Sequence, residues 1–217
     1  MLITRLIGDD QGADRQEQLN DVLFPLGNMV KTEVRDYARS HNIPVAEKKD
    51  STGICFIGER KFREFLAKYI PMKDGDIVTA DGKVVGKHMG VYYYTIGQRR
   101  GLGIGGSKDG TGERWFVLDK DVMNNRLIVS QGEDDVLFKK ELLTEGFNFI
   151  TRPDGDEFDC LVRIKHRQPL EKARAVVEGE NVHFYFENPQ RAIAPGQYAV
   201  AYIDRVCIGG GVIIHSI

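Results

Sequence analysis

Cysteine is scarce in this chain, with only Cys55, Cys160 and Cys207 among 217 residues. They are far apart, form no CxxC pair and are odd in number, which argues against a disulfide framework or a structural zinc site and fits a reducing compartment. Long apolar runs are lacking as well: none approaches the roughly 20 residues needed to cross a bilayer. The opening Met1-Leu2-Ile3-Thr4-Arg5-Leu6-Ile7-Gly8 is too short for a secretory signal, so a cytoplasmic protein is expected. There is no excess of one charge either. Lys plus Arg number 30 against 32 Asp plus Glu, a formal net charge of -2, so any nucleic-acid contact has to come from local basic patches. No low-complexity segment or long linker interrupts the chain. What is present, 41% hydrophobic and 29% charged residues, is the composition of a folded protein with room for one large or two small domains.

The first 70 residues read as mostly helical. Thr32 is placed to cap a helix whose Glu33 suits the positive N-terminal end, with Val34, Tyr37, Ala38 and His41 on one face. Asn42 and Pro44 stop it, and His41 is a helix-end residue before it is a base. A second helix is expected from Lys61 to Ile70, where Phe62, Phe65, Leu66, Tyr69 and Ile70 repeat with the spacing of a buried stripe. From Pro71 the character changes to strand. Ile77-Val78-Thr79-Ala80 and Lys83-Val84-Val85 flank Asp81-Gly82, the signal of a two-residue hairpin. Further strands are expected at Val91 to Ile96, Trp115 to Leu118 and Leu127 to Ser130, then at Asp159 to Lys165, Arg174 to Val177, Val182 to Glu187, Gln197 to Ile203 and Val206 to His215. Even strand spacing in the last third suggests a barrel. The expected fold is therefore α+β and mostly β: a short helical segment over 1–70, a small central β domain over 71–130 and a C-terminal antiparallel β-barrel over 136–217.

Gly101-Leu102-Gly103-Ile104-Gly105-Gly106 satisfies GxGxxG, yet Ser107-Lys108-Asp109-Gly110-Thr111-Gly112 follows and no helix can start there to meet a pyrophosphate, so a dinucleotide site is rejected. Residues 86–112 hold nine of the 24 glycines, a loop able to approach a ligand closely. Cys55 lies in a small-residue turn between Lys48-Lys49-Asp50 and Glu59-Arg60-Lys61, where neighbouring cations favour a thiolate if the sulfur is exposed. The plain alternative is a packed side chain, since free cysteine is among the most buried residue types. Tyr92-Tyr93-Tyr94 on a strand would place at least one ring outward beside Gln98, Arg99 and Arg100, a stacking surface next to phosphate ligands, or else a half-buried strand with a solvated end. Arg163-Ile164-Lys165-His166-Arg167-Gln168 is a second basic cluster suited to an RNA backbone, with Gln168 able to serve base or sugar. Cys160 and Cys207 read as small core residues.

The string KKDSTGICFIGERKFREFL resembles the second-cysteine segment of the MnmA family of bacterial tRNA-uridine 2-thiolases, and HMGVYYYTIGQRRGLGIGG resembles that family's central-domain signature. The likeness extends over about residues 18–217. It implies ATP-dependent replacement of the C2 oxygen of the wobble uridine, position 34 of certain tRNAs, by sulfur. ATP, with Mg2+, is the cofactor, tRNA the substrate, and a cysteine desulfurase or sulfur-relay protein the donor. Cys55 then either carries the persulfide or attacks it to liberate sulfide, and a disulfide with a first cysteine closes the cycle. Asp50 is placed to orient the loop or help a proton move. Lys165 and His166 match tRNA-contact positions where the family more often has Arg and Tyr. Gln197, in Pro195-Gly196-Gln197, matches a glutamine that approaches tRNA, although Pro-Gly explains a strand-entry turn unaided.

The family's SGGxDS nucleotide loop and its first cysteine do not occur in these 217 residues. Asp9-Asp10-Gln11 matches the family's KDQ contact only loosely and is not carried over. The expectation is that this chain supplies the second cysteine and the tRNA-binding portion of a thiolase, binds no ATP itself, and does not turn over alone. Two other readings are a non-enzymatic RNA-binding β protein with a packed cysteine, and a Cys/His hydrolase, which lacks a base and orienter in sequence.

Overall fold

The computed structural model describes residues 22–48, 62–105, 112–132, 135–165 and 168–217. Helix α1 spans Lys31–Ser40, two residues earlier than a Thr32 cap would give. The reason lies in Glu33, whose Oε2 reaches back to the Val30 N–H at 2.8 Å and satisfies the helix start in place of a capping hydroxyl. At the other end Asn42 takes φ 52°, while its N–H bonds to Arg39 O at 3.0 Å and that of Ile43 to Ala38 O at 2.9 Å, a Schellman closure ahead of Pro44. Tyr37 and His41 stack at 4.1 Å as their i, i+4 spacing allows, yet no residue of α1 is buried. Helix α2, Phe62–Leu66, is shorter than the expected 61–70 and runs on only as a turn, with the Ile70 N–H on Leu66 O at 2.8 Å. Beyond it the Ile70 carbonyl accepts the Tyr93 hydroxyl at 2.6 Å.

Strands β1 (Gly75–Thr79), β2 (Val84–His88), β3 (Trp115–Asp121) and β4 (Arg126–Gln131) form a sheet in the order β2-β1-β4-β3, with β1 and β4 parallel and the other pairs antiparallel. The β1–β2 turn holds three residues, not two: the Gly82 N–H bonds to Thr79 O and the Thr79 N–H to Lys83 O, both at 2.9 Å. No strand forms at Val91 to Ile96. Val91–Tyr93 is a single 3-10 turn that buries Tyr93 and leaves Tyr92 exposed. The alternation argued for three tyrosines therefore fails, because what fixes them is packing. Tyr93 is drawn toward Ile70, and the Tyr94 ring meets His88 edge-on at 5.8 Å. Around this sheet Ile77, Val117, Leu127 and Val129 pack with Val91, Tyr94 and Leu102 in one core, to which Leu66 and Ile70 add.

Six further strands close a barrel in the order β10-β5-β8-β7-β6-β9: β5 (Phe138–Phe149), β6 (Glu157–Arg163), β7 (Glu171–Glu178), β8 (Asn181–Arg191), β9 (Tyr198–Ile203) and β10 (Val206–Ser216). The 12-residue β5 had no counterpart among the expected strands. Inward residues alternate as a half-buried strand requires. Val182, Phe184 and Phe186 of β8 fill the interior, and Ala173 and Ala175 of β7, paired with Phe186 and Phe184, leave the rings room. Thr144 is wholly buried, and its hydroxyl both donates to Val182 O at 2.9 Å and accepts from the Val182 N–H at 3.2 Å. Cys160 lies inside the barrel and Cys207 in a second cluster with Val200 and Tyr202.

Candidate nucleic-acid interface

Antiparallel pairing all the way round the barrel decides which loops share an end. Phe138 pairs with Arg191, Val162 with Glu171 and Val212 with Tyr198, so the start of β5, the β6–β7 connection and the β8–β9 connection lie together. Lys165 and Gln197, expected from sequence to meet RNA, therefore sit at the same barrel end. Ala194-Pro195-Gly196-Gln197 is a type II turn in which the Gln197 N–H reaches Ala194 O at 3.2 Å and Gly196 takes φ 84°, a conformation natural to glycine. The turn is pinned to β10, since the Ile213 N–H donates to Gln197 O at 2.7 Å, and the Gln197 side chain is exposed.

Lys165 is half-buried, and its ammonium donates to the Arg191 carbonyl. Burial, with the Arg191 charge second, pushes its pKa below that of an ordinary lysine. Next to it Gln168 donates to Gln190 Oε1 at 2.8 Å, and Gln190 in turn donates to Asn188 O at 2.9 Å. Gln168 Oε1 and Arg163 Nε are buried without a hydrogen-bond partner among the described residues, while the Arg163 guanidinium lies 5.9 Å from the Tyr202 ring centre. This barrel end thus brings amide groups beside the Lys165 ammonium.

The turn carrying Gln98, Arg99 and Arg100 approaches the same end from the sheet. It is tied to β3 by Gly97 N–H on Val117 O at 2.8 Å and Val117 N–H on Gln98 O at 3.0 Å. Gln98 spends its amide locally, accepting from the Thr95 N–H at 3.0 Å and donating to Arg100 O at 2.9 Å, so it braces the turn that presents Arg99 and exposed Arg100. Arg191, which no sequence pattern singled out, links the two groups. Its guanidinium lies 5.0 Å from the centre of the Phe116 ring on β3, while its backbone holds Lys165. A strand-ending arginine gives no sequence signal of such a role, because its partner is distant in the chain.

Cys55, Asp50 and His166 lie outside the described residues. The other two cysteines are unsuited to sulfur chemistry, as burial raises the Cys160 thiol to about 12 and the Cys207 thiol to about 11. Among the described residues no group of three or more His, Cys, Asp and Glu side chains converges as a metal site would need, and no helix is long and apolar enough to cross a membrane. The SGGxDS nucleotide loop does not occur in the sequence.

Comparison with known proteins finds related sequence along most of the chain. Residues 13–59 match the tRNA methyl transferase HUP domain, residues 63–131 the tRNA methyl transferase PRC-barrel domain, and residues 139–213 the aminomethyltransferase beta-barrel domain. The chain is 48% identical over 202 residues to the tRNA-specific 2-thiouridylase MnmA of Francisella tularensis subsp. tularensis, covering 92% of this chain and 56% of that protein. Against the tRNA-specific 2-thiouridylase MnmA of Psychrobacter cryohalolentis it is 48% identical over 207 residues, 91% of this chain and 51% of the relative. By sequence this chain belongs to the MnmA family of tRNA-specific 2-thiouridylases, and it spans about half the length of the curated relatives it matches.

Proposed function

We propose that this chain supplies the second sulfur-handling cysteine and the tRNA-docking surface of a tRNA-uridine 2-sulfurtransferase acting on C2 of wobble uridine 34. The observation that carries the reading is the approach of the turn leading into Arg99 and Arg100, through Gly97 against Ala192, to the barrel end that bears Lys165 and Gln197, in a chain whose overall charge is slightly negative. Basic groups from two units give a backbone-tracking surface, and exposed Gln197 adds a neutral donor and acceptor able to touch base or sugar. His166 belongs beside Lys165 in this reading. ATP activation of the C2 oxygen calls for a phosphate-binding loop that this sequence does not contain, so that part of the reaction falls to a nucleotide-binding portion outside it.

Cys55 acts on sulfur, with Asp50 as a candidate to orient its loop. In one route Cys55 bears the persulfide, whose outer sulfur bonds to C2 as the activated oxygen leaves. The partner cysteine then attacks the Cys55 sulfur, releasing thiouridine and forming a disulfide. In the other, the Cys55 thiolate attacks a persulfide on the partner cysteine and frees sulfide, again leaving a disulfide. Both routes consume a desulfurase-derived or relayed sulfane sulfur and need a thiol reductant to reset the pair.

Mixing the chain with the nucleotide-binding portion of an MnmA relative, ATP, Mg2+, a sulfur donor and tRNA tests this reading through the yield of 2-thiouridine. Cys55→Ser is expected to lower the yield at least about 100-fold, as loss of a covalent nucleophile does. Full activity in the variant sinks the role of Cys55. The same variant sharpens a labelling test. Burial raises the Cys160 thiol to about 12 and the Cys207 thiol to about 11, so at pH 8 iodoacetamide should mark Cys55 ahead of both, and an unlabelled native chain that still binds tRNA favours the non-enzymatic RNA-binding reading.

A further inference from the structure

We propose that the seam between Gly97 and Ala192 is a positioning joint that fixes the four-stranded sheet on the barrel end, so that Arg99 and Arg100 face RNA in register with Lys165 and Gln197. The proposal rests on the RNA-docking reading above and adds the residues that hold the docking surface together.

Two left-handed residues meet at the seam, Gly97 at φ 78° and Ala192 at φ 52°. A Cβ on Gly97 would stand 2.5 Å from the Ala192 Cβ and 3.5 Å from Arg191 Nη1, closer to the methyl than packed carbons come. Only glycine allows both the backbone conformation and the approach. Behind this contact Leu118, Leu137 and Ala192 are buried together, with Ile96, Phe116, Ile128 and Phe138 packed against them, so that one small apolar core draws on both units. The Ala192 N–H donates to Leu137 O at 2.6 Å, which closes the barrel side of the seam.

Arg191 gives the seam its direction. Its guanidinium over Phe116 grips β3, whose next residue, Val117, is hydrogen-bonded in both directions to the Gly97-Gln98 turn. Its carbonyl takes the Lys165 ammonium at the barrel end. One residue therefore touches the support of both basic groups. β4 ends at Gln131 and β5 begins at Phe138, a short connection that limits the distance between the two units. The relative orientation is thus set by the seam, and the seam is narrow enough for one methyl group to prise apart.

The test compares the wild-type chain with Gly97→Val and Phe116→Leu, the second removing the ring beneath Arg191 without a steric clash. Small-angle scattering and circular dichroism report on the chain alone, and tRNA binding across a salt series reports on the surface. Gly97→Val is expected to keep the strand signal, enlarge the radius of gyration and weaken tRNA binding about tenfold near 100 mM salt. The slope of log K against log salt should shrink by about 1.5, two phosphate contacts at about 0.7–0.9 each. Phe116→Leu should move both readouts the same way by a smaller amount, and it decides the matter if Gly97→Val does not fold. A residue of merely structural importance would lower stability while leaving the slope intact. Unchanged scattering, or an opened seam with an unchanged slope, overturns the joint. A wild-type chain without salt-dependent tRNA binding would instead overturn the RNA-docking reading, and the scattering comparison would still decide whether the seam fixes the two units.

Discussion

The barrel and the four-stranded sheet solve the problem of a core differently. The barrel leaves no open edge, and its interior is filled almost entirely by alternate residues of its own strands, with Phe184 at the centre and alanines opposite. The sheet contributes only part of its core. Val91, Tyr93, Tyr94 and Leu102 come from turns and loops, and these segments are held by side chains bonded to backbone. Buried His88 shows how: Nδ1 accepts the Gly90 N–H at 3.0 Å, which leaves Nε2–H to donate to Asn125 O at 3.1 Å, while the Asn125 amide donates to Asp74 O at 2.9 Å. One neutral tautomer satisfies the whole set. The barrel is thus stabilised by repetitive apolar packing, and the sheet, which presents Arg99 and Arg100, by specific polar ties between segments far apart in sequence.

Truncation at the barrel centre is expected to give the largest effect. Phe184→Ala removes a fully buried ring from a closed interior with little freedom to collapse, and should cost about 3–5 kcal/mol in chemical denaturation. Tyr93→Phe removes one hydroxyl and its bond to Ile70 O while keeping the ring, and should cost about 0.5–1.5 kcal/mol. Its loss should appear mainly as faster amide exchange around residues 66–70 and 90–94, because the bond joins those two segments. If Tyr93→Phe destabilised the chain as much as Phe184→Ala, or loosened the barrel equally, the contrast between the two units would break.

The same contrast explains what sequence alone could reveal. Barrel strands announce themselves by alternation between turn residues, and the expected strands at Val182 to Glu187 and Val206 to His215 fall inside β8 and β10. β5 escaped because Phe138-Lys139-Lys140-Glu141-Leu142-Leu143-Thr144-Glu145-Gly146 has no clean period of two. It is held by two neighbours, and its register shifts against both. Val91 to Ile96 departs from expectation for the opposite reason: its aromatic run satisfies strand propensity, but Tyr93 and Tyr94 are fixed by Ile70 and His88. For the candidate interface, Lys165, Gln197 and the Gln98–Arg100 turn could be picked out as residue types. The part of Arg191 could not, since it depends on β8 ending where β3 passes.

The smallest effect expected separates the charges brought by the two units. Burial and the Arg191 charge hold the Lys165 pKa below the ordinary lysine value, so raising pH should discharge this part of the barrel contribution. Binding of tRNA should weaken as pH rises through the lowered Lys165 value, with the salt slope falling by about 0.7–0.9, one phosphate contact. Lys165→Arg should remove that step while leaving the contribution of Arg99 and Arg100 in place. Stability moves the other way. A lysine whose folded pKa lies below its unfolded value of about 10.4 binds its proton more tightly in the unfolded chain, so its contribution to stability grows as pH rises between the two values and is lost on going back down. Weakened binding alongside rising stability thus marks titration of Lys165 at the surface, while binding and stability falling together would point to alkaline loosening of the barrel and break the assignment.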